Sequence, residues 1–178
     1  MTIHSGHPFA TDDDPVRRLR ARLGGAVTLW TAGEGDAPRG WSGLTVSSVM
    51  LAHGETPRLL ALVDPDSDLA DVVERTGRAV VHLLSWHHRD LADAFAGVAP
   101  APGGPFRMSP FTPTSHGPRL ADATSYTAVE VESAVEVGWS LLLTCPLVVP
   151  GLVVGEDDDA LLHRRGRYRR ESGAAGAG

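Results

Sequence analysis

The stretch Gly43-Leu44-Thr45-Val46-Ser47-Ser48 decides how this sequence is interpreted. Its apolar, β-branched and hydroxyl side chains favour an extended strand over residues 44–50. Residues 27–31 predict a second strand, and the Gly/Asp/Pro turn chemistry of residues 33–38 joins the two. Ser and Thr hydroxyls at a strand end are short, adaptable hydrogen-bond donors. The stretch therefore predicts a strand and a place where a polar or anionic ligand group is bound.

Short strand-like segments continue on the C-terminal side of this stretch. Between some of these segments, apolar residues recur at helical spacing or capping residues occur, and we expect helices near residues 15–23, 68–76 and 89–95. This alternation predicts one mostly β (α+β) domain over residues 15–170, between a flexible arm (1–14) and a disordered tail (171–178). Residues 98–119 predict a long loop that is either functional or floppy. Further strands are expected at residues 58–63, 79–84, 126–137, 141–149, 152–154 and 160–163.

Composition excludes several classes of function. The chain has 178 residues and a formal net charge of −6, which argues against nucleic-acid binding. All 16 basic residues are Arg, so chemistry that needs a Lys Schiff base or a Lys general base is excluded. Cys145 is the single cysteine, which excludes an intrachain disulfide and fits a cytoplasmic protein. No apolar run is long enough for a membrane span.

Further motifs follow the first stretch in a fixed order. Together they resemble the flavin reductase-like family of FMN-binding split β-barrels, over about residues 20–170. The motifs, after the opening Gly43–Ser48 stretch, are a strand ending in Asp64, Thr76-Gly77-Arg78, Asp90-Leu91-Ala92 with Phe95-Ala96-Gly97, Gly117-Pro118-Arg119-Leu120 and Arg165-Gly166-Arg167-Tyr168-Arg169.

The resemblance implies a fold and an activity. The fold is an antiparallel FMN-binding split β-barrel with a few flanking helices. It implies a homodimer with flavin at the subunit interface. The activity is that of an NAD(P)H:flavin oxidoreductase, which transfers hydride from NADH or NADPH to FMN, with FAD as a second flavin. Such enzymes supply reduced flavin to a partner monooxygenase.

The resemblance also assigns cofactor contacts residue by residue. They fall on the first strand end, on the segment after the second motif strand, on a buried strand, on a helix end and on the C-terminal basic cluster. The residues are Thr45, Val46, Ser47, Ser48, Asp64, Ser67, His82, Phe95, Ala96, Gly97 and Arg167. No catalytic residue is assigned, because Trp139 stands where many members carry a His.

Each of these assignments has a structural alternative. Thr45 to Ser48 fit an ordinary strand, and Asp66 or Ser67 fits a helix cap. His82 fits a hydrogen-bonded core residue, and Phe95 a core residue at a helix end. Trp139 fits an aromatic residue that fills the end of the barrel. Arg167 fits a basic C-terminal segment whose charges are simply solvated.

Two departures from the family pattern keep a second function open. The segment after Asp64 carries Asp66 and Asp68 instead of basic and hydroxyl residues, and carboxylates repel a phosphate. Trp139 cannot donate a proton as an imidazolium does. The alternatives are a degenerate split barrel that binds flavin without turnover, or a barrel for haem or a deazaflavin, with His82 or His163 as ligand.

The sequence predicts no metal site. His87 and His88 are adjacent, so in a helix they are expected to point in different directions. The acidic run 157–159 lacks the glycine and the distal Glu of a calcium loop. Cys145 lies in an apolar strand and is interpreted as a small buried hydrophobe.

Overall fold

The computed structural model describes residues 16, 19, 22–156 and 159–170. The predicted arm (1–14) and tail (171–178) lie outside the described residues, and the domain boundaries stay a prediction. Within the described part, none of the helices combines the length and apolar character needed to cross a membrane. The strands and helices of this part are β1 (Gly25–Ala26), β2 (Thr28–Gly33), β3 (Trp41–Val46), β4 (Val49–Ala52), β5 (Arg58–Val63), α1 (Asp68–Thr76), β6 (Arg78–Leu83), α2 (Arg89–Phe95), β7 (Phe111–Thr112), β8 (Arg119–Leu120), β9 (Tyr126–Glu130), β10 (Ser133–Val137), β11 (Ser140–Val153), β12 (Leu161–Arg164) and β13 (Arg167–Arg170).

The main antiparallel sheet closes into a barrel. Its strand order is β3-β2-β6-β9-β11-β5-β4, and β10 pairs with β11 outside this path. β3 and β4 are consecutive in the chain, with Ser47 and Ser48 between them. The two ends of the sheet are therefore two halves of one bent segment. The backbone N–H of Leu62 donates to the Ser48 carbonyl (3.0 Å) and so extends the β4–β5 pair up to the bend. This is the predicted split-barrel fold, and the sequence-based fold class is confirmed.

Strand β2 is buried along its whole length because both faces of the sheet are covered there. Trp30 points into the barrel, where the core continues through Val46, Val81 and Leu143 and is capped by residues of α1. Leu29 belongs to the second core, which packs under α2 and the aromatic residues of the 98–119 loop. Because side chains alternate between the two faces of an extended strand, β2 contributes residues to both cores.

Local chemistry explains where α1 begins and ends. Ser67 is its N-cap, and its hydroxyl accepts a hydrogen bond from the backbone N–H of Ala70 (3.2 Å). Gly77 ends the helix in a left-handed conformation (φ 67°), which glycine adopts without the steric penalty of a side chain. Val16, Leu19 and residues 22 and 23 are helical, in agreement with the predicted N-terminal helix.

The structure differs from the sequence-based strand boundaries in three places. The strand expected at residues 44–50 divides at Ser47 and Ser48 into the end of β3 and the start of β4. Residues 126–137 form two strands, β9 and β10, rather than one, and β10 is exposed along its length. The two strands expected at residues 141–149 and 152–154 are one long strand, β11, since it changes partner and does not end at its prolines.

The long loop 98–119 has defined structure and packs against the domain. It contains the short strand β7, which pairs with β8, and it packs Phe106 and Phe111 against Phe95.

Candidate functional site

A cleft of about 740 Å³ opens where β3 bends into β4. Ser47 and Ser48 form one wall at this bend, and both are half-buried. The opposite side is formed by the start of the domain and by the C-terminal hairpin. The lining residues are Leu23, Gly24, Ser47, Ser48, Val49, Met50, Leu60, Ala61, Leu62, Leu142, His163 and Gly166.

The chemistry of the cleft is asymmetric. Leu60, Leu62 and Leu142, from the adjacent strands β5 and β11, make one broad apolar wall. The two serines and His163 supply polar groups at the edges. A volume in the range of small-molecule sites, with apolar walls and a few convergent polar groups, is typical of a cofactor pocket. The arrangement suits a flat apolar ring system that carries polar substituents.

At the bend between β3 and β4, the backbone of β1 approaches the backbone of Ser47 closely. A Cβ atom added at Gly25 would lie 2.9 Å from the carbonyl oxygen of Ser47, so only glycine fits at this point of β1. β1 in turn pairs with β12, which carries His163. The serine wall and His163 are therefore fixed relative to each other through Gly25 and the β1–β12 pair.

Thr45 and Val46 do not line the cleft, although the resemblance assigns them to the cofactor. The Thr45 hydroxyl points to the other side of β3 and donates to the Ala92 carbonyl of α2 (2.6 Å). Val46 is buried in the barrel core, and its carbonyl accepts from the Thr28 hydroxyl (2.6 Å). Of the four residues predicted to contact the cofactor at this strand end, Ser47 and Ser48 line the cleft.

Asp64 and Ser67 build the start of α1. The Asp64 carboxylate accepts from the backbone N–H of Asp66 (2.9 Å), and the Ser67 hydroxyl donates to the Asp64 carbonyl (2.6 Å). Ser67 also caps the helix, so its hydroxyl has two backbone partners. The structural alternative is confirmed for Ser67. The segment follows β5 directly after Leu62 and Val63, but its own residues are not among those that line the cleft.

His82 is a core residue and not a cleft residue. It is fully buried; its Nδ1 lies 2.9 Å from the Leu29 carbonyl, and its Nε2 accepts from the backbone N–H of Leu120 (3.0 Å). These partners fix a neutral ring protonated at Nδ1. Burial lowers the pKa of His82 to about 4. These hydrogen bonds occupy both ring nitrogens, so the structure favours the core alternative for His82 over the predicted flavin contact and over the haem-ligand alternative.

Phe95, Ala96 and Gly97 lie at the end of α2, on the outer side of β3. Phe95 is buried, stacks edge-on against Phe106 (4.9 Å between ring centres) and packs against Gly43. Ala96 and Gly97 are exposed at the helix end. None of the three lines the cleft, so the core alternative for Phe95 is the one that the structure supports.

Trp139 lies at the tip of the β10–β11 hairpin, after Gly138 in a left-handed conformation (φ 60°). Its side chain is 61% exposed, which contradicts the alternative of an aromatic that fills the barrel end. Leu142, three residues further along the chain and within β11, lines the cleft. Trp139 is thus at the margin of the face onto which the cleft opens and not at its floor.

Arg167 is exposed in β13 and is not among the residues that line the cleft. It pairs across the hairpin with Arg164. His163, which the sequence offered only as a ligand in the haem or deazaflavin alternative, is a cleft wall in the structure, and its ring meets Tyr168 edge-on at 5.8 Å.

His87 and His88 do not point apart, contrary to the sequence-based expectation. They lie in a 3-10 turn, their ring centres are 3.7 Å apart, and each Nε2 is 3.2 Å from an oxygen of Asp122. The His88 Nδ1 accepts from the backbone N–H of Ser85 (3.1 Å), so a neutral His88 carries its proton on Nε2. The His87 Nε2 hydrogen-bonds the Asp122 carboxylate, and the His88 Nε2 lies at ion-pair distance from its other oxygen; we call this three-residue arrangement the clamp.

Two shifted groups outside the cleft have simple causes. Burial raises the pKa of the Cys145 thiol to about 12, in agreement with its interpretation as a small buried hydrophobe. The pKa of Asp122 is lowered: desolvation alone would raise it, and the hydrogen bonds and charges of His88 and His87 outweigh that effect.

Comparisons with known proteins agree with this architecture. Residues 20–172 match the model of a family described as flavin reductase like domain. An FMN reductase (NADH) RutF of Variovorax paradoxus is 27% identical over 165 residues, covering 92% of this chain and 88% of the relative. The reductase component of 4-hydroxyphenylacetate 3-monooxygenase of Pseudomonas aeruginosa is 30% identical over 86 residues, covering 48% of this chain and 49% of the relative. The solved structure of flavin reductase PheA2 has a TM-score of 0.77 at 21% identity, covering 90% of this chain and 98% of that chain.

Proposed function

Because this chain belongs to the flavin reductase-like family, we propose that it is an NAD(P)H:flavin oxidoreductase that works in the cleft beside Ser47 and Ser48. The observation that carries the proposal is the cleft itself. It lies at the bend between β3 and β4, within the motif that carries the family resemblance, and it combines one apolar wall with polar edges. FMN, when bound, supplies the hydride-accepting chemistry of the reaction.

The residues of the cleft fit a flavin. Leu60, Leu62 and Leu142 form an apolar surface against which a ring system packs, and that contact excludes water from the reacting face. Ser47 and Ser48 are placed to hydrogen-bond the polar edge of the ring or the ribityl chain through backbone or hydroxyl groups. His163 is the titratable side chain at this cleft, and it is placed to orient a polar group of the ligand.

The proposed enzyme acts as a homodimer. Leu62, Leu142 and Val135 are opposite one another on β5, β11 and β10, and they form a row on the outer face of the sheet. Val135 is exposed, as are Met50 and the hairpin tip at Trp139. A contiguous exposed apolar face of this kind marks an interaction site. Because Leu62 and Leu142 also line the cleft, a second copy on this face would close the open side of the cleft.

A partner monooxygenase is the proposed consumer of the reduced flavin. One of the similar proteins is named as the reductase component of a monooxygenase. We propose a cytoplasmic location, where pyridine nucleotides are available.

One experiment tests flavin binding and turnover together. The purified protein is titrated with FMN while tryptophan fluorescence is followed, and NADH or NADPH oxidation is then measured with FMN present. Saturable quenching followed by pyridine-nucleotide oxidation above the buffer rate is the expected result. Saturable FMN binding without any oxidation would instead support the second function, a flavin-binding barrel without turnover. Trp139, in place of a family His, is the observation that favours that second function.

Matched variants tie the result to the cleft. Leu142→Arg places a charge on the apolar wall and should weaken FMN binding by about tenfold or more, since burying an unpaired charge is costly. Val98→Arg adds the same charge at a residue that is 73% exposed and does not line the cleft, and it should leave binding unchanged. Equal effects of the two variants would show that the ligand is bound elsewhere.

The dimer has its own test. Val135→Asp puts a carboxylate in the centre of the apolar row and should shift sedimentation from dimer to monomer. A wild-type protein that sediments as a monomer at micromolar concentration would contradict the proposed assembly.

A further inference from the structure

A second depression, of about 630 Å³, lies beside the cleft. The two share Leu23, Gly24 and His163, so they are neighbouring compartments of one surface. β1 forms the floor, and the β12–β13 hairpin forms the outer wall. We call this depression the arginine pocket; its lining residues are Arg22, Leu23, Gly24, Gly25, Ala26, Leu162, His163, Arg164, Arg165 and Arg169.

The arginine pocket concentrates positive charge. Arg22, Arg164, Arg165 and Arg169 converge on it, and no described carboxylate lies within ion-pair distance of any of the four guanidinium groups. Arg170, the next residue along the chain, shows the contrast, because it is paired with Asp159. All four side chains are exposed, so solvent and salt screen part of their mutual repulsion, and an anion bound between them would relieve the rest. Guanidinium groups bind phosphate in a bidentate geometry, so phosphate is the anion that this lining fits.

The turn that carries Arg165 is strained. Arg165 has φ 56° and is the only non-glycine residue with positive φ in the described part of the chain. With Gly166 (φ 72°) it forms the two-residue turn of the β12–β13 hairpin, where Asn or Gly at both positions is the relaxed choice. A side chain kept in a strained backbone conformation is characteristic of functional sites.

Gly24 keeps the passage between the two compartments open. A Cβ atom there would lie 3.2 Å from the His163 carbonyl oxygen and 3.3 Å from Cγ of Arg164, and φ is +63°. Any larger residue at position 24 would press against the hairpin at the point where the cleft meets the arginine pocket.

From this geometry we infer that the arginine pocket binds the phosphate groups of the pyridine dinucleotide while its nicotinamide is oxidised in the adjoining cleft. The inference rests on the proposed function. A dinucleotide carries its reactive ring and its phosphates in one molecule, and the structure provides an apolar cleft and a cationic pocket that share a wall. The two sources of phosphate within this class are the pyrophosphate common to NADH and NADPH and the 2′-phosphate of NADPH.

The test uses the FMN-loaded protein and the double variant Arg165→Asn/Arg169→Gln. Asn suits the left-handed turn, so the hairpin is retained while two charges are removed. We expect KM for NADH or NADPH to rise about tenfold, with kcat and the Kd of FMN unchanged, because hydrogen bonds to charged groups contribute to binding on this scale. Calorimetric titration with NAD+ and NADP+ should show the same loss and does not depend on turnover.

Arg39→Gln is the matched control, since Arg39 is an exposed arginine that lines neither the cleft nor the arginine pocket. An equal loss for NADH and NADPH assigns the arginine pocket to the pyrophosphate, and a larger loss for NADPH adds the 2′-phosphate; either result supports the inference. The inference would be overturned if the double variant kept the wild-type KM values and NAD+ affinity, or if it bound FMN more weakly with unchanged KM values. In either case, NADH oxidation by the wild type would leave the proposed function intact. A wild-type protein that binds NAD+ through these arginines but oxidises no NADH would sink the proposed function alone.

Discussion

His82 makes the stability of this protein sensitive to mildly acidic pH. It is fully buried and neutral, and burial lowers its pKa from 6.5 to about 4. The unfolded chain binds a proton to this ring below pH 6.5, whereas the folded chain does not do so until about pH 4. The folded state therefore loses stability as pH falls from 6.5 towards 4, and it keeps the full stability above that window.

The size of the effect follows from the shift. Over the whole window the loss approaches about 3 kcal/mol, at roughly 1.4 kcal/mol per pKa unit. Between pH 7 and pH 5 the His82 contribution is about 2 kcal/mol by the same linkage relation. This range lies above the pH at which most carboxyl groups titrate, so the histidine contribution is separable from theirs.

The assay is urea unfolding at pH 7 and pH 5 for the wild type and for His82→Gln. A Gln amide has an oxygen that accepts from the Leu120 N–H and an NH₂ group that donates, but it does not titrate. The variant is expected to be less stable at pH 7 and to lose about 2 kcal/mol less than the wild type between the two pH values. Parallel pH profiles for the two proteins would refute the reasoning, since they would mean that His82 is protonated equally in both states.

Three further predictions test contacts outside the cleft. Gly43→Ala would place a Cβ 2.6 Å from Cε1 of Phe95, and urea unfolding should show a loss of about 1–3 kcal/mol from this overpacking; an unchanged midpoint would contradict it. Thr45→Val removes the hydroxyl that donates to the Ala92 carbonyl, and because that carbonyl also accepts from the N–H of residue 96, the expected loss is only about 1 kcal/mol, measured in the same way. The lowered pKa of the Asp122 carboxyl stabilises the folded state at pH values above the pKa of the unfolded chain, and this stabilisation is lost as the pH falls through the pKa of the folded state. Asp122→Asn should remove that stabilisation. Equal stability of the variant and the wild type at pH 7 would count against the clamp with His87 and His88.

Much of the fold follows from local sequence, and the reasons are visible in single residues. Ser67 and Gly77 specify the start and the end of α1 by capping alone, so this helix was predicted correctly. The strand expected at residues 44–50 divides instead into the end of β3 and the start of β4, because the chain bends at Ser47 and Ser48. β11 was divided wrongly because Pro146 and Pro150 normally interrupt a strand, whereas here the strand changes partner around them.

The candidate site was harder to predict because side-chain direction depends on tertiary partners. Thr45 and Ser47 are two residues apart and would share a face in a regular strand. The bend at Ser47 and Ser48 breaks that rule, so Thr45 binds α2 while the serines reach the cleft. His163 reaches the same cleft only because β12 pairs with β1, a contact between residues far apart in sequence.

Strand edges of the main sheet are the places where a foreign strand could attach. β3 pairs only with β2 and β4 only with β5, but both are short strands joined at the bend. β10 likewise pairs on one side only, with β11, and it is exposed along its whole length. Its exposed valines favour β-aggregation, and the charge of Glu136, which lies between Val135 and Val137 on the opposite face of the strand, acts as a gatekeeper. Neutralising Glu136 should therefore turn a harmless edge into a nucleus for self-association.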